Sequence, residues 1–125
     1  MNPIGLKLRF SVQGNQSTGE FISTREHAGF DGVTHGGIIF SVLDDAMANW
    51  FFLQGARGYT ARSKIRYREP MPIGATATID CEVVARKGRL VKLKARAINL
   101  QSGNVIAECD GSFILKEFGQ LPKKW

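Results

Sequence analysis

The stretch "THGGIIFSVLDDAMANWFF", residues 34–52, decides how the rest of the chain is read. No proline occurs from Gly36 to about Gln54, and Gly55 and Gly58 supply a stop. The spacing predicts a helix of about five turns, ~27 Å long at about 1.5 Å per residue. The segment is apolar nearly all round. A helix of that kind must be enclosed, and the remaining sequence offers only strand-like segments to enclose it. The fold class expected is therefore α+β, with a sheet wrapped around one long helix.

Working outward, "LKLRFSV" and "STGEFIST" read as two short strands around the turn "QGNQ". "HAGFDGV" reads as a Gly-rich loop leading into the helix. After the helix, "RSKIRYR" places Arg62, Lys64, Arg66 and Arg68 on one face and Ser63, Ile65 and Tyr67 on the other. "TATIDCEV" points Thr76, Thr78, Asp80 and Glu82 outward against Ala77, Ile79, Cys81 and Val83. "VKLKARA" points Lys92, Lys94 and Arg96 outward, and "VIAECDGSF" points Glu108 and Asp110 outward. If these four strands neighbour one another antiparallel in sequence order, the outer face is a ladder of opposite charges. Each cross-strand pair then contributes roughly a few tenths of a kcal/mol.

The 125 residues, 43% of them hydrophobic, suit a single domain over 1–125 with a real core. The start "MNPIGLKLRFSVQ" lacks the apolar stretch of a signal peptide, and Asp44, Asp45 and Asn49 interrupt the longest apolar run. The expectation is a soluble cytoplasmic protein with no membrane partner. Cys81 and Cys109 match no metal-ligand spacing and are too few for a disulfide framework, so buried reduced thiols and no metal site are expected. A formal net charge of +6 admits anionic partners. A basic groove for nucleic acid would lack interleaved acids and would offer exposed aromatics, and the strands show neither. The positive charge outside that ladder sits mainly at Arg86, Lys87 and Arg89, at Arg57, and near Lys116, Lys123 and Lys124, where a phosphate-bearing small molecule could use it.

The two acids differ in their helical surroundings. Ser41, Asp45 and Asn49 fall on one polar stripe at i, i+4 and i+8. Asp44 lies about 100° away with Phe40 and Ala48 at i−4 and i+4, on an apolar face. A carboxylate there needs a hydrogen-bonding partner or has a chemical use, and the pattern alone leaves both readings open. Before it, "GVTHGG" sets glycines at the helix N-terminus, where free N–H groups and the positive end of the helix dipole meet. The N–H of Gly36 or Gly37 could hold a carbonyl oxygen as its charge develops, an effect of about 3 kcal/mol per donor. Taken alone, His35 reads as a residue that hydrogen-bonds the backbone at the start of the helix.

His35-Gly36-Gly37 followed by Leu43-Asp44, a strand ending "YREP", then "GR" and "SGNVIAECDGSF", resembles the hotdog-fold acyl-CoA thioesterases of the phenylacetate-pathway (PaaI-like) type. The resemblance spans residues 15–116. It implies a cytoplasmic hotdog protein that pairs as a homodimer, or a dimer of dimers, and hydrolyses a small to medium aliphatic or aryl acyl-CoA without a cofactor. By position it makes Asp44 the acid that activates water or attacks the thioester carbon, and Gly36 the oxyanion donor. Gly37 permits close approach, His35 holds the loop, and Thr60 matches a water-orienting hydroxyl. Asp44 of one subunit meets the Gly36 end of its partner's helix. Asp45, Met47, Phe51 and Arg89 are the candidate substrate contacts, with Trp50 or Phe52 beside the pocket. The chain departs from the pattern at Gly29, where many relatives carry asparagine, with His27 and Asp31 nearby. That departure keeps a non-catalytic acyl-CoA sensor or carrier-associated protein open as an alternative. A hydroxyacyl dehydratase also uses this fold, without the acid pattern seen here.

Overall fold

The helix forms where the sequence holds no breaker and ends where glycine permits it. In the computed structural model, which describes residues 9–13, 16–23, 32–52, 55–117 and 119, α1 runs Gly36–Phe52. Gly55 takes a φ of 71°. Its N–H donates to the Phe52 carbonyl and the Ala56 N–H donates to the Phe51 carbonyl, the paired bonds of a Schellman ending. The strands are β1 (Arg9–Gln13), β2 (Gln16–Ile22), β3 (Arg57–Tyr67), β4 (Thr76–Lys87), β5 (Leu90–Asn99) and β6 (Val105–Glu117). They make one antiparallel sheet in the order β1-β2-β4-β5-β6-β3, and α1 packs across its inner face. His27, Gly29, Asp31, Lys123 and Lys124 lie outside the described residues. No helix among the described residues is long and apolar enough to cross a membrane.

Strand alternation follows the sequence closely. Ala77, Ile79, Cys81 and Val83 of β4 are buried, as are Val91, Leu93, Ala95 and Ala97 of β5. They pack on Ile38, Ile39, Val42, Leu43, Ala46, Met47, Trp50 and Phe51 of α1. Cys81 and Cys109 are buried free thiols. At Gly111 a Cβ would come within 2.8 Å of the Met47 sulfur, so the missing side chain is the space that methionine fills.

Two features differ from the sequence reading. The buried helix residues recur at i, i+1, i+4 and i+5, which is one side of α1 rather than nearly all of it. A single sheet layer covers only that side. The stripe Phe40, Asp44, Ala48 and Phe52 stays partly or fully open, with Phe52 72% exposed. The four later strands are also not neighbours in sequence order. β3 crosses to pair with β6 and becomes the sheet edge, while β2 takes the place beside β4. The charge alternation survives because β3 is basic and β6 acidic, pairing Lys64 with Asp110 and Arg66 with Glu108. Arg96 lies 3.8 Å from Asp80, and Glu108 receives Arg68 at 2.9 Å and Lys94 at 3.9 Å.

Gly55→Ala places a Cβ on a left-handed residue and is expected to cost about 1 kcal/mol. The check is a lower urea midpoint with an unchanged slope.

Candidate active site

The approach to α1 is clamped before the helix begins. Val33 bridges Pro72, the Thr34 N–H donates to the Met71 carbonyl at 2.8 Å, and the buried Thr34 and Ser23 hydroxyls share a hydrogen bond. His35 then caps the helix. Its carbonyl accepts the N–H groups of Ile38 and Ile39 at 3.0 and 3.2 Å, and its Nδ1 accepts the Gly37 N–H at 2.9 Å. The Gly37 donor is thereby used. The Gly36 N–H has no acceptor among the described residues, so it is the donor left at the positive end of the helix.

Tyr67, at the end of β3, completes this corner. Its hydroxyl donates to the Gly36 carbonyl at 2.7 Å, and a Cβ on Gly36 would meet the Tyr67 ring at 3.3 Å. The Gly36–Gly37 peptide is therefore held at both ends, by Tyr67 at its carbonyl and by His35 at its N–H. The alternation of β3 marked Tyr67 only as a residue opposite the basic face. No local sequence signal links it to a glycine 31 positions earlier.

Asp44 sits half-buried on the open stripe of α1. The Thr60 hydroxyl, from the start of β3, donates to Asp44 Oδ1 over a long 3.5 Å. Burial holds the Asp44 carboxyl above its usual range, and the Thr60 hydrogen bond pulls weakly the other way. The Cys109 thiol is pushed up to about 11 by burial first and by the Asp44 charge second, so it stays protonated.

Beside Thr60 opens a cleft of about 380 Å³, lined chiefly by Ala48, Phe51, Phe52, Gly58, Tyr59 and Phe113. Ala48 is one helical turn from Asp44, so this largely apolar space leads to the carboxylate. Phe51 both lines the cleft and stacks edge-on against Trp50, ring centres 5.1 Å apart. The other sequence candidates lie elsewhere. Met47 is fully buried under Gly111 and is not part of the lining. Arg89 donates to the Leu115 and Lys116 carbonyls near the end of β6. Asp45 occupies the stripe with Ser41 and Asn49, whose side chains bond the carbonyls of Gly37 and Asp45. Its Oδ2 is buried with no hydrogen-bond partner among the described residues, and burial, with the neighbouring Asp44 charge, raises its pKa. Among the described residues no cluster of His, Cys, Asp and Glu could hold a metal.

A sequence profile described as the Thioesterase superfamily matches residues 31–106. No curated protein matches. A hypothetical thioesterase of Streptococcus pneumoniae, solved with coenzyme A, superposes with a TM-score of 0.83 at 16% identity, over 89% of this chain and 90% of that one. The E. coli PaaI protein of the phenylacetic acid degradation operon gives a TM-score of 0.80 at 20% identity, over 90% and 80%. Zebra fish thioesterase superfamily member 2 gives 0.79 at 20% identity, over 88% and 80%. The antiparallel sheet laid over one long helix is the hotdog fold.

The raised Asp44 pKa carries a sign that stability can report. A carboxyl whose folded pKa lies above its unfolded value costs stability once both states are ionised, and costs nothing below the unfolded pKa. Asp44→Asn is therefore expected to melt at a higher temperature than the parent at neutral pH. The gain should vanish below the ordinary carboxylate range. A variant that melts lower at pH 7 would show that the carboxylate is stabilising instead.

Proposed function

Because the chain belongs to the thioesterase superfamily and is a thioester hydrolase, we propose that its substrates are acyl-CoA esters of small to medium aliphatic or aryl acids, and that Asp44 is the catalytic acid. The observation that carries this reading is the carboxylate of Asp44, half-buried beside an apolar cleft and held above its usual pKa. A base whose pKa approaches the working pH balances ionisation against proton affinity. In the ionised state Asp44 takes a proton from a water aligned by the Thr60 hydroxyl, or attacks the carbonyl carbon directly. The Gly36 N–H, at the helix N-terminus, stabilises the oxyanion that forms as water or the carboxylate adds to the carbonyl carbon. The C–S bond breaks when that tetrahedral intermediate collapses and the thiolate takes up the proton. The His35 and Tyr67 contacts fix that corner of backbone in place, so little reorganisation accompanies the reaction. Coenzyme A leaves as the thiol, and the acyl group occupies the cleft bounded by Phe51, Phe52 and Phe113.

One chain does not bring these groups together. Gly36 and Asp44 are eight residues apart on α1, ~12 Å at about 1.5 Å per residue, too far to act on one carbonyl. Two subunits do so if α1 of each lies antiparallel beside the other, so that Asp44 faces the partner's Gly36. Three features support this. The stripe Phe40, Asp44, Ala48 and Phe52 is left uncovered by the chain's own sheet. β3 is an edge strand of 11 residues whose outer side has no neighbour among the described residues. The groups from both halves of the site, Thr60 and Tyr67, stand on that strand. Antiparallel pairing of two β3 edges about a point between Ser63 and Lys64 sets Thr60 opposite the partner's Tyr67. The active unit is accordingly a homodimer in the cytoplasm, alone or doubled into a tetramer.

The test is release of free thiol from a panel of aliphatic and aryl acyl-CoAs. Asp44→Asn and Asp44→Ala are expected to lose at least about a hundredfold in kcat while remaining folded. Thr60→Val is expected to lose less and to shift the acid limb of the rate profile upward, because the hydroxyl lowers the Asp44 pKa. A folded, fully active Asp44→Ala would remove Asp44 from the mechanism, and no thiol release from any ester would replace hydrolysis by binding. Light scattering should give at least twice the 13.8 kDa of one chain, and a monomer that turns over would contradict the shared site.

A further inference from the structure

The outer face of the sheet carries a charge alternation with acids missing from one row. Reading across β3, β6, β5 and β4, one row is Arg66, Glu108, Arg96, Asp80 and the next is Lys64, Asp110, Lys94, Glu82. In both, every cation has an acid beside it. The third row is Arg62, Ser112, Lys92, Ala85. The two positions that hold acids in the other rows are a hydroxyl and a methyl, and the cations remain. Arg62, Lys64 and Lys92 have no ion pair among the described residues.

The backbone of both strands is also irregular at this row, and β3 shifts once more at its start, between Arg57 and Gly58. β4 shifts register between Val83 and Ala85, and β3 shifts between Thr60 and Arg62. Bulges bend a strand and increase its twist. Between the two shifts the surface is concave, a hollow of about 300 Å³ lined chiefly by Arg62, Lys64, Val84, Lys92, Asp110 and Ser112. Three cations face one carboxylate there.

We infer that this hollow binds a phosphoryl group. Adjacent strands lie about 4.8 Å apart, so Arg62 and Lys92 flank Ser112 with backbones roughly 10 Å from each other. Both side chains are long enough to close on one anion above the Ser112 hydroxyl. A phosphate monoester, with close to two negative charges and three acceptor oxygens, matches two cations and a hydroxyl donor better than a single carboxylate does. The guanidinium gives the planar fork and the ammonium a mobile point charge. The hollow faces away from α1, so the inference does not rest on the thioester chemistry at Asp44.

The experiment is a ¹⁵N NMR titration of the intact protein with inorganic phosphate, against sodium chloride at matched ionic strength. Saturable shifts of the residue 62, 92 and 112 amides are expected with phosphate and not with chloride. Ser112→Asp supplies the missing acid of the row, and is expected to weaken phosphate binding at least about tenfold through charge repulsion while melting no lower than the parent. Lys92→Ala, a change at an exposed position, should also weaken it. Shifts that do not saturate, that chloride reproduces, or that persist unchanged in Ser112→Asp would overturn the site. Competition by coenzyme A but not by dephospho-coenzyme A would confirm a phosphoryl site and identify the substrate carrier as its source. A saturable phosphate site with which neither competes would confirm it for a separate phosphorylated ligand. Neither readout uses turnover, so failure here leaves the hydrolase reading intact and the converse also holds.

Discussion

The one-sided burial of α1 is the constraint from which the rest follows. A single six-stranded layer covers the faces of the helix that carry Ile38, Leu43, Met47 and Trp50, and it buries all four. Large side chains such as Trp50 and Met47 each remove a great deal of apolar surface from water, about 25 cal/mol for each Å². That gain fixes the rotation of the helix about its axis. Once the rotation is fixed, Asp44 can point in only one direction, along the rim where the helix leaves the cover of its own sheet.

In the proposed reaction the position on the rim sets the chemistry. A carboxylate in full solvent would titrate in its ordinary range and make a weak base. One sealed in the core would be neutral or would need a buried cation. Asp44 is between these limits, desolvated enough to be raised and open enough to be reached from the cleft beside Thr60. The other end of the helix is rigid for a separate reason. His35 and Tyr67 hold opposite ends of the Gly36–Gly37 peptide, so the Gly36 N–H, which has no acceptor among the described residues, is presented by a backbone that has little room to rotate. Stabilising a developing oxyanion depends on donors placed before the reaction begins.

Local pattern made much of this legible. The helix from Gly36 follows from a stretch without a breaker, and the alternation of β4, β5 and β6 from a spacing of two residues. The separation of Asp44 from Asp45 is less sharp than the helical spacing suggests, because burial raises both carboxyls and the buried oxygen without a partner among the described residues is on Asp45. The order of the strands was not legible, because the partner of β3 is chosen by a crossover spanning the whole second half of the chain. The same long reach hid the Tyr67 hydrogen bond and the cleft, which joins the end of α1 to the start of β3 and to Phe113. The apolar count of α1 also misled about enclosure. Phe40, Ala48 and Phe52 are hydrophobic, yet nothing in one sequence separates residues that pack on their own sheet from residues left at a surface. Arg89 illustrates a further reach: its Nη1 donates to two strand carbonyls that lie 26 and 27 positions away, which no local pattern shows.

The central claim is that the ionisation of Asp44 and the onset of hydrolysis are one event. The direct measurement follows the side-chain carboxyl ¹³C resonance of Asp44 with pH, and compares its midpoint with the acid limb of kcat/KM for thiol release by the same protein. The expected result is a shared midpoint above the ordinary carboxylate range, with activity falling as Asp44 takes up its proton. A carboxyl that titrates in the ordinary range, or an acid limb well separated from its midpoint, would contradict Asp44 as the group that drives the reaction.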